Sequence, residues 1–147
     1  MSTSTLSMQK LDVRALWLGA VAGLIGGVPF GMMMGMMGMM PMIGMLVRVD
    51  SVFAGVLVHA AISAITGAIY GFFAARLPQT WRVAALAGIA YGVIWWVLGA
   101  LVLMPAMLGM FQMIFVIGQM QWMSMLGHQI WALVMAFAFL WLYNRTK

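Results

Sequence analysis

The chain has no cysteine and no glutamate, and its only acidic residues are Asp12 and Asp50. Without cysteine there are no disulfides, no thiolate ligands and no thiol nucleophile. With so few acids, and none inside a long apolar run, an intramembrane carboxylate relay and a paired-carboxylate active site are excluded, and histidine is left as the one conventional general base. Charge of either sign is scarce: 6% of the 147 residues are charged and 66% are hydrophobic, with a mean hydropathy of +1.10. A chain of this composition has too little polar surface to meet water, so it belongs in a bilayer. These features predict a non-enzymatic integral membrane protein.

Residues 15–47, 51–75 and 83–144 carry no charged side chain. Each run exceeds the ~20 apolar residues that cross a hydrocarbon core, and the last holds more than one crossing. The net charge of +5 does not form a basic patch with interleaved aromatics, so no nucleic-acid partner is expected. The basic residues punctuate the spans instead. Lys10 and Arg14 precede the first, Arg76 and Arg82 bracket the gap between the second and third, and Arg145 and Lys147 close the chain. Placing all six on the cytoplasmic face satisfies the positive-inside rule with an even number of crossings between pairs. The result is four helices with both termini cytoplasmic, and Arg48 beside Asp50 outside. Ala20-Val21-Ala22 looks like a cleavage site, but the apolar stretch before it is too short for a signal peptide, so an uncleaved first helix is expected.

The predicted organisation is a short cytoplasmic tail, 1–12, and one four-helix transmembrane domain, 13–147. Its helices run at about 13–40, 51–75, 82–104 and 123–143. Two hairpins, about 13–76 and 82–145, look alike. Ala22-Gly23 followed by Met40-Pro41 is echoed by Ala87-Gly88 followed by Met104-Pro105, and His59 precedes Arg76 at the same spacing as His128 precedes Arg145. A duplicated hairpin predicts a pseudo-twofold axis along the membrane normal. Each proline would end or bend its helix at the outer side. The apolar stretches after them, 42–49 and 106–121, then read as interfacial or re-entrant segments, the second with Gln112, Gln119 and Gln121 on a polar side.

Small residues recur at four-residue intervals on every helix. Gly19, Gly23, Gly27, Gly31 and Gly35 mark the first; Gly67 and Gly71 extend a series with Gly55, His59 and Ser63 on the second; Gly88 and Gly92 mark the third; and Ser124, His128, Ala132 and Ala136 mark the fourth. Such stripes let helix backbones approach closely, which drives association in lipid. They predict a compact bundle and a packing or accessory role, with the lipid bilayer, a second copy or a larger membrane complex as partner.

Both histidines fall on these small faces, each with a serine one turn away. An ionisable side chain inside a span is a candidate functional residue; a neutral imidazole bonded to a carbonyl or serine is the structural alternative. Nine of the 19 methionines lie between Gly31 and Met45. Thioethers and imidazoles suit Cu(I), so His59, His128, Met36, Met40 and Met104 form a candidate soft-metal set near the outer face. Methionine nevertheless covers every direction of the first helix not taken by glycine, as an adaptable apolar filler would. A third alternative uses His59 and His128 as paired ligands of haem b.

The stretch GHQIWALVMAFAFLWLYNR, preceded by HAAISAITGAIYGFFAARLPQTWRVAALAGIAYG, resembles the YagU-type family of bacterial inner-membrane proteins. The resemblance runs from His59 onward and leaves out the methionine-rich end of the first helix. It implies a helical, multi-pass protein of the bacterial inner membrane and implies no catalytic motif.

Overall fold

Asp12 opens the first helix, α1 (Val13–Met36), by accepting the Ala15 N–H at 3.0 Å, which satisfies one of the orphan donors of a helix start. The computed structural model describes residues 12–146. The rest of the expected 1–12 tail and Lys147 lie outside the described residues. α1 ends four residues earlier than expected, for a reason other than Pro41. Gly38 adopts a left-handed φ of 69°, and the N–H groups of Gly38 and Met39 return to the carbonyls of Gly35 and Met34. This is a Schellman closure, which glycine permits because it lacks a Cβ. Pro41 instead sits in the first turn of a short helix, α2 (Met40–Gly44), followed by a 3-10 turn, Met45–Val47. Within α1, Pro29 removes one backbone donor without ending the helix.

Ser51 caps α3 (Val52–Ala74) by accepting the Ala54 N–H, and Thr80 caps α4 (Trp81–Trp95) by accepting that of Val83. α4 passes into a π-helical stretch, Trp96–Leu103, and then α5 (Met104–Met107). The expectation that the third helix stops at Pro105 is therefore corrected. Its continuous apolar run is Trp81–Met107, ended by a second Schellman closure at Gly109, whose φ is 72°. The last helix, α6 (Gln119–Arg145), also begins earlier than expected. The second outer segment thereby shortens to 108–118, and Gln119 and Gln121 belong to the first turn of α6. Among the described residues, four helices are long and apolar enough to cross a membrane: Val13–Met36, Val52–Ala74, Trp81–Met107 and Gln119–Arg145. The protein is an all-α membrane protein with four transmembrane helices.

α1 lies at the centre of the bundle. Toward α3 the backbones interlock, and a Cβ on Gly19 or Gly67 would run into the other helix's backbone at Gly67–Gly71 or Gly19–Gly23. Toward α6, Ala15, Ala22, Gly26, Phe30 and Met34 are buried, with Gly26 seated against Trp131 and Met135. α4 packs on α6 through Gly88 and Gly92 against Ala132 and Ala136. Gly35 has no atom within 4 Å of its Cβ direction, so the contact stripe stops at Gly31. Among the methionines of α1, Met33 packs against Gly127 of α6, while Met32 and Met36 are exposed.

The start of α1 and the end of α6 meet at one face. Arg14 donates to the Tyr143 carbonyl at 2.8 Å and to the Thr146 hydroxyl at 2.6 Å, and the Tyr143 hydroxyl donates to Asp12 at 3.2 Å. The guanidinium groups of Arg14, Arg76 and Arg145 lie over the rings of Tyr143, Phe72 and Trp141. A twofold axis relating the two hairpins would make the α1–α6 and α3–α4 pairs equivalent. They are unlike: α1 follows α6 along its length, whereas α3 and α4 barely touch. The packing does not display the expected pseudo-twofold, and the open pair leaves a gap.

Candidate functional site: a chamber between α3 and α4

The gap between α3 and α4 widens into a chamber of about 460 Å³, within the range of small-molecule sites. α1 supplies its inner wall through Phe30 and Met34, and the 39–47 segment closes one end through Met39, Ile43 and Leu46. α3 contributes His59, Ser63 and Thr66; the third span contributes Trp95, Gly99, Ala100 and Met104; α6 contributes Ser124, His128 and Trp131. Among the described residues, no lysine, arginine, aspartate or glutamate lines it. The mouth is flanked by apolar side chains that remain exposed, Ile65 at 61% on α3 and Met107 at 51% on α5.

A hydrogen bond closes the gap on the side of the basic turn. The Tyr91 hydroxyl of α4 donates to the Thr66 carbonyl of α3 at 2.6 Å, and Thr66 in turn donates to the Ile62 carbonyl at 2.6 Å. Both histidines lie 17 residues before an arginine of the opposite face, which is about 25 Å along a helix. The chamber therefore occupies the half of the bundle remote from Arg76 and Arg145.

His59 reaches across to α1, where its Nε2 donates to the Gly27 carbonyl at 2.8 Å. Gly27 and Gly31 make room for this ring: a Cβ on Gly31 would stand 3.1 Å from the imidazole, and one on Gly27 would stand 2.6 Å from the Ser63 hydroxyl. His128 stays on its own helix. Its Nδ1 donates to the Ser124 carbonyl at 2.8 Å, with the Ser124 hydroxyl at 3.4 Å. A carbonyl only accepts, so in the neutral form of each ring the proton sits on His59 Nε2 and on His128 Nδ1. Phe30 stands between the rings, 5.7 Å from His59 and 4.8 Å from His128 by centroid.

The candidate metal residues are brought together only in part. His59, His128 and Met104 line the chamber, joined by Met34, Met39 and Met107. Met40 is buried with its methyl group near Gly31, off the chamber wall. Met36 is 82% exposed and has no part in the site. A haem held by both histidines does not fit, because Phe30 occupies the space between the rings and His59 Nε2 is committed to Gly27.

Sequence reasoning missed Phe30, Trp95 and Trp131. Phe30 continues the spacing Ala22, Gly26, Phe30, Met34, and Trp131 lies one turn beyond His128, so both were on readable faces. Trp131 is 5% exposed, and its indole N–H is buried without a hydrogen-bond partner among the described residues. The Trp95 N–H, by contrast, has the Tyr91 hydroxyl beside it as a loose hydrogen-bond partner. Unpaired buried donors are rare, because each loses its bond to water and gains nothing in return. Compared with known proteins, the chain matches no family model, no curated protein and no solved structure.

Proposed function

We propose that this is a non-enzymatic protein of the bacterial inner membrane that receives an apolar molecule from the bilayer into the chamber between α3 and α4. The observation that carries the reading is the chamber itself: about 460 Å³, uncharged, and flanked at its mouth by exposed apolar side chains. A bilayer supplies apolar molecules laterally, and a site open to it needs no aqueous path. The lining offers little for catalysis. Ser124 faces a nitrogen already bonded to a carbonyl, so it has no free base beside it, and no carboxylate is at hand. With Arg14, Arg76, Arg82 and Arg145 on the cytoplasmic side, the chamber lies in the outer leaflet. The resemblance to the YagU-type family from His59 onward supports the same location.

An accessory role in a larger complex is compatible with this reading. The glycine stripes that suggested self-association are, however, used inside the chain, between α1 and α3 and between α4 and α6. The test is native mass spectrometry of the protein released from its membrane. Wild type should retain one apolar molecule, and Gly99→Phe, which adds a ring where glycine borders only Trp95 at 3.8 Å, should lose it at unchanged helicity. Equal retention by both proteins would refute the chamber as the site.

A second reading is favoured by four thioethers, Met34, Met39, Met104 and Met107, sharing the chamber with the two histidines. This set suits Cu(I), for which the residues supply neutral soft ligands. Anaerobic Cu(I) titration against a chelator tests it. Stoichiometric binding abolished by replacing Met104 and Met107 with leucine supports a metal site, and binding unaffected by those changes removes it.

A further inference from the structure

We propose that the chamber takes one acyl chain of a phospholipid whose head group carries both a phosphate and an ammonium, with that head group left at the rim against Arg48 and Asp50. The inference rests on the chamber being the binding site and names the class of its occupant.

The space fixes the apolar part. At roughly 30 Å³ for a methylene-sized group, the share of one water molecule in the liquid, a chamber of about 460 Å³ holds roughly fifteen of them. That is one acyl chain and not two. The chamber is open along its side, where Ile62 and Ile65 of α3 and Leu103 and Met107 of the third span line it and remain exposed. A second acyl chain therefore stays in the bilayer. No charged side chain among the described residues lines the interior, and the Tyr91–Thr66 hydrogen bond closes its far end. Only hydrocarbon descends, because a charged head group there would have no partner.

The rim fixes the head group. Val47 lines the chamber and is 54% exposed, so the 45–47 turn stands at its outer edge. Backbone bonds hold that edge: the Arg48 N–H donates to the Met45 carbonyl at 3.0 Å, and the Val49 N–H donates to the Gly44 carbonyl at 3.2 Å. Arg48 follows Val47 by one Cα step of about 3.8 Å, less than the length of its own side chain. Asp50 comes two residues later. Both are exposed, and neither side chain makes a hydrogen bond or ion pair with any described residue, including the other. Arg14, Arg76 and Arg145, by contrast, already lie over aromatic rings of the protein. One free cation beside one free anion complements a head group that carries both signs. A head group bearing phosphate alone is attracted by Arg48 and repelled by Asp50, and a free phosphate has no hydrocarbon for the chamber.

The experiment uses the full chain in micelles containing equal amounts of phosphatidylethanolamine and phosphatidylglycerol with identical acyl chains. Native mass spectrometry identifies and counts the lipid retained. Wild type should hold one lipid and prefer phosphatidylethanolamine by about threefold, the contribution of one exposed ion pair. Asp50→Asn should bring the two lipids to parity by weakening phosphatidylethanolamine alone, and Arg48→Gln should weaken both. Neither variant removes a contact within the described residues, so the fold is retained. Gly99→Phe should lose both lipids, which separates a chain in the chamber from lipid adhering to the outside of the bundle. Equal retention of the two lipids or a preference for phosphatidylglycerol in wild type, or a preference unchanged in Asp50→Asn, overturns the head-group inference while leaving the chamber as a site. Retention of a molecule without phosphate in place of either lipid does the same. Wild type that holds no lipid or other apolar molecule, or lipid held equally by Gly99→Phe, overturns both this inference and the proposed function.

Discussion

Adding one methyl group at Gly67 tests the packing between α1 and α3. The new Cβ would meet the Gly19 carbonyl and stand 2.6 Å from Gly23 Cα and 2.9 Å from Gly23 N. All three are backbone atoms, so no side chain can swing aside. Carbon atoms settle at about 3.5–4.0 Å, so the helices must part by about 1 Å. A gap of that size forfeits about a quarter to a half of each contact's attraction, at about 0.1–0.2 kcal/mol per atom pair. Over a few tens of atom pairs along the interlock the loss is about 2–3 kcal/mol, against a gain of at most about 1 kcal/mol from the better helix propensity of alanine. Gly67→Ala should therefore be destabilised by about 1–2 kcal/mol net. Gly35→Ala is the internal control, because its Cβ meets nothing within 4 Å; it should be neutral or stabilised by up to about 1 kcal/mol. Reversible unfolding in mixed micelles, followed by circular dichroism, measures both. If Gly67→Ala equals wild type, or Gly35→Ala is the worse of the two, the backbone interlock does not hold this helix pair together.

Further outcomes follow from the same geometry. Met34→Ala, which truncates a side chain 6% exposed, should cost about 2–5 kcal/mol, whereas Met36→Ala at 82% exposure should lie within about 0.5 kcal/mol of wild type; unfolding titrations in the same micelles compare them. Tyr91→Phe removes the bond to the Thr66 carbonyl and should cost about 1 kcal/mol, with faster hydrogen exchange confined to the facing turns of α3 and α4 as the signature. Reporter fusions after Lys147 and within 78–80 should both report cytoplasm and one beside Arg48 the outer side; opposite sides for the first two would contradict the clamp of Arg14 on Tyr143 and Thr146.

The four spans were legible because charge is so sparse that the arginines mark three of the places where apolar runs end, and the length of the uncharged run 83–144 with the parity of the basic pairs supplies the remaining turn. The stripe from Gly19 to Gly31 was legible for a related reason: only close backbone contact rewards glycine at that interval in a transmembrane helix. Gly35 broke the pattern because spacing records a face and not the length of the partner lying on it. The methionines were legible only as a group. Met33 and Met34 are packed while Met32 and Met36 are exposed, and a residue equally at home in lipid and in a core leaves no trace of which side it faces. The second small stripe, Ala22 and Gly26, pointed to α6 and was hidden by the longer glycine series beside it.

The chamber was illegible because it depends on where a proline's missing bond is repaired. Pro105 has no N–H to offer the Leu101 carbonyl one turn earlier. That carbonyl instead accepts the Phe115 N–H at 3.2 Å, from the loop that follows, where Phe115 holds a φ of 58°. A left-handed conformation is unfavourable for a bulky residue, so it persists here only because the surrounding contacts hold it. The span before Pro105 meanwhile widens into π geometry over Trp96–Leu103, which changes the residues that share one face and brings Trp95, Gly99, Ala100 and Met104 to one wall. Wide turns of this kind recur at functional sites. Pro41, the echo of Pro105 in the first half, falls after the chain has already broken at Gly38 and does nothing similar. Two matching Met-Pro pairs thus end in different backbones. The half with the wide turn stands away from α3 while the other half closes on α6, and the chamber is the space left by that difference.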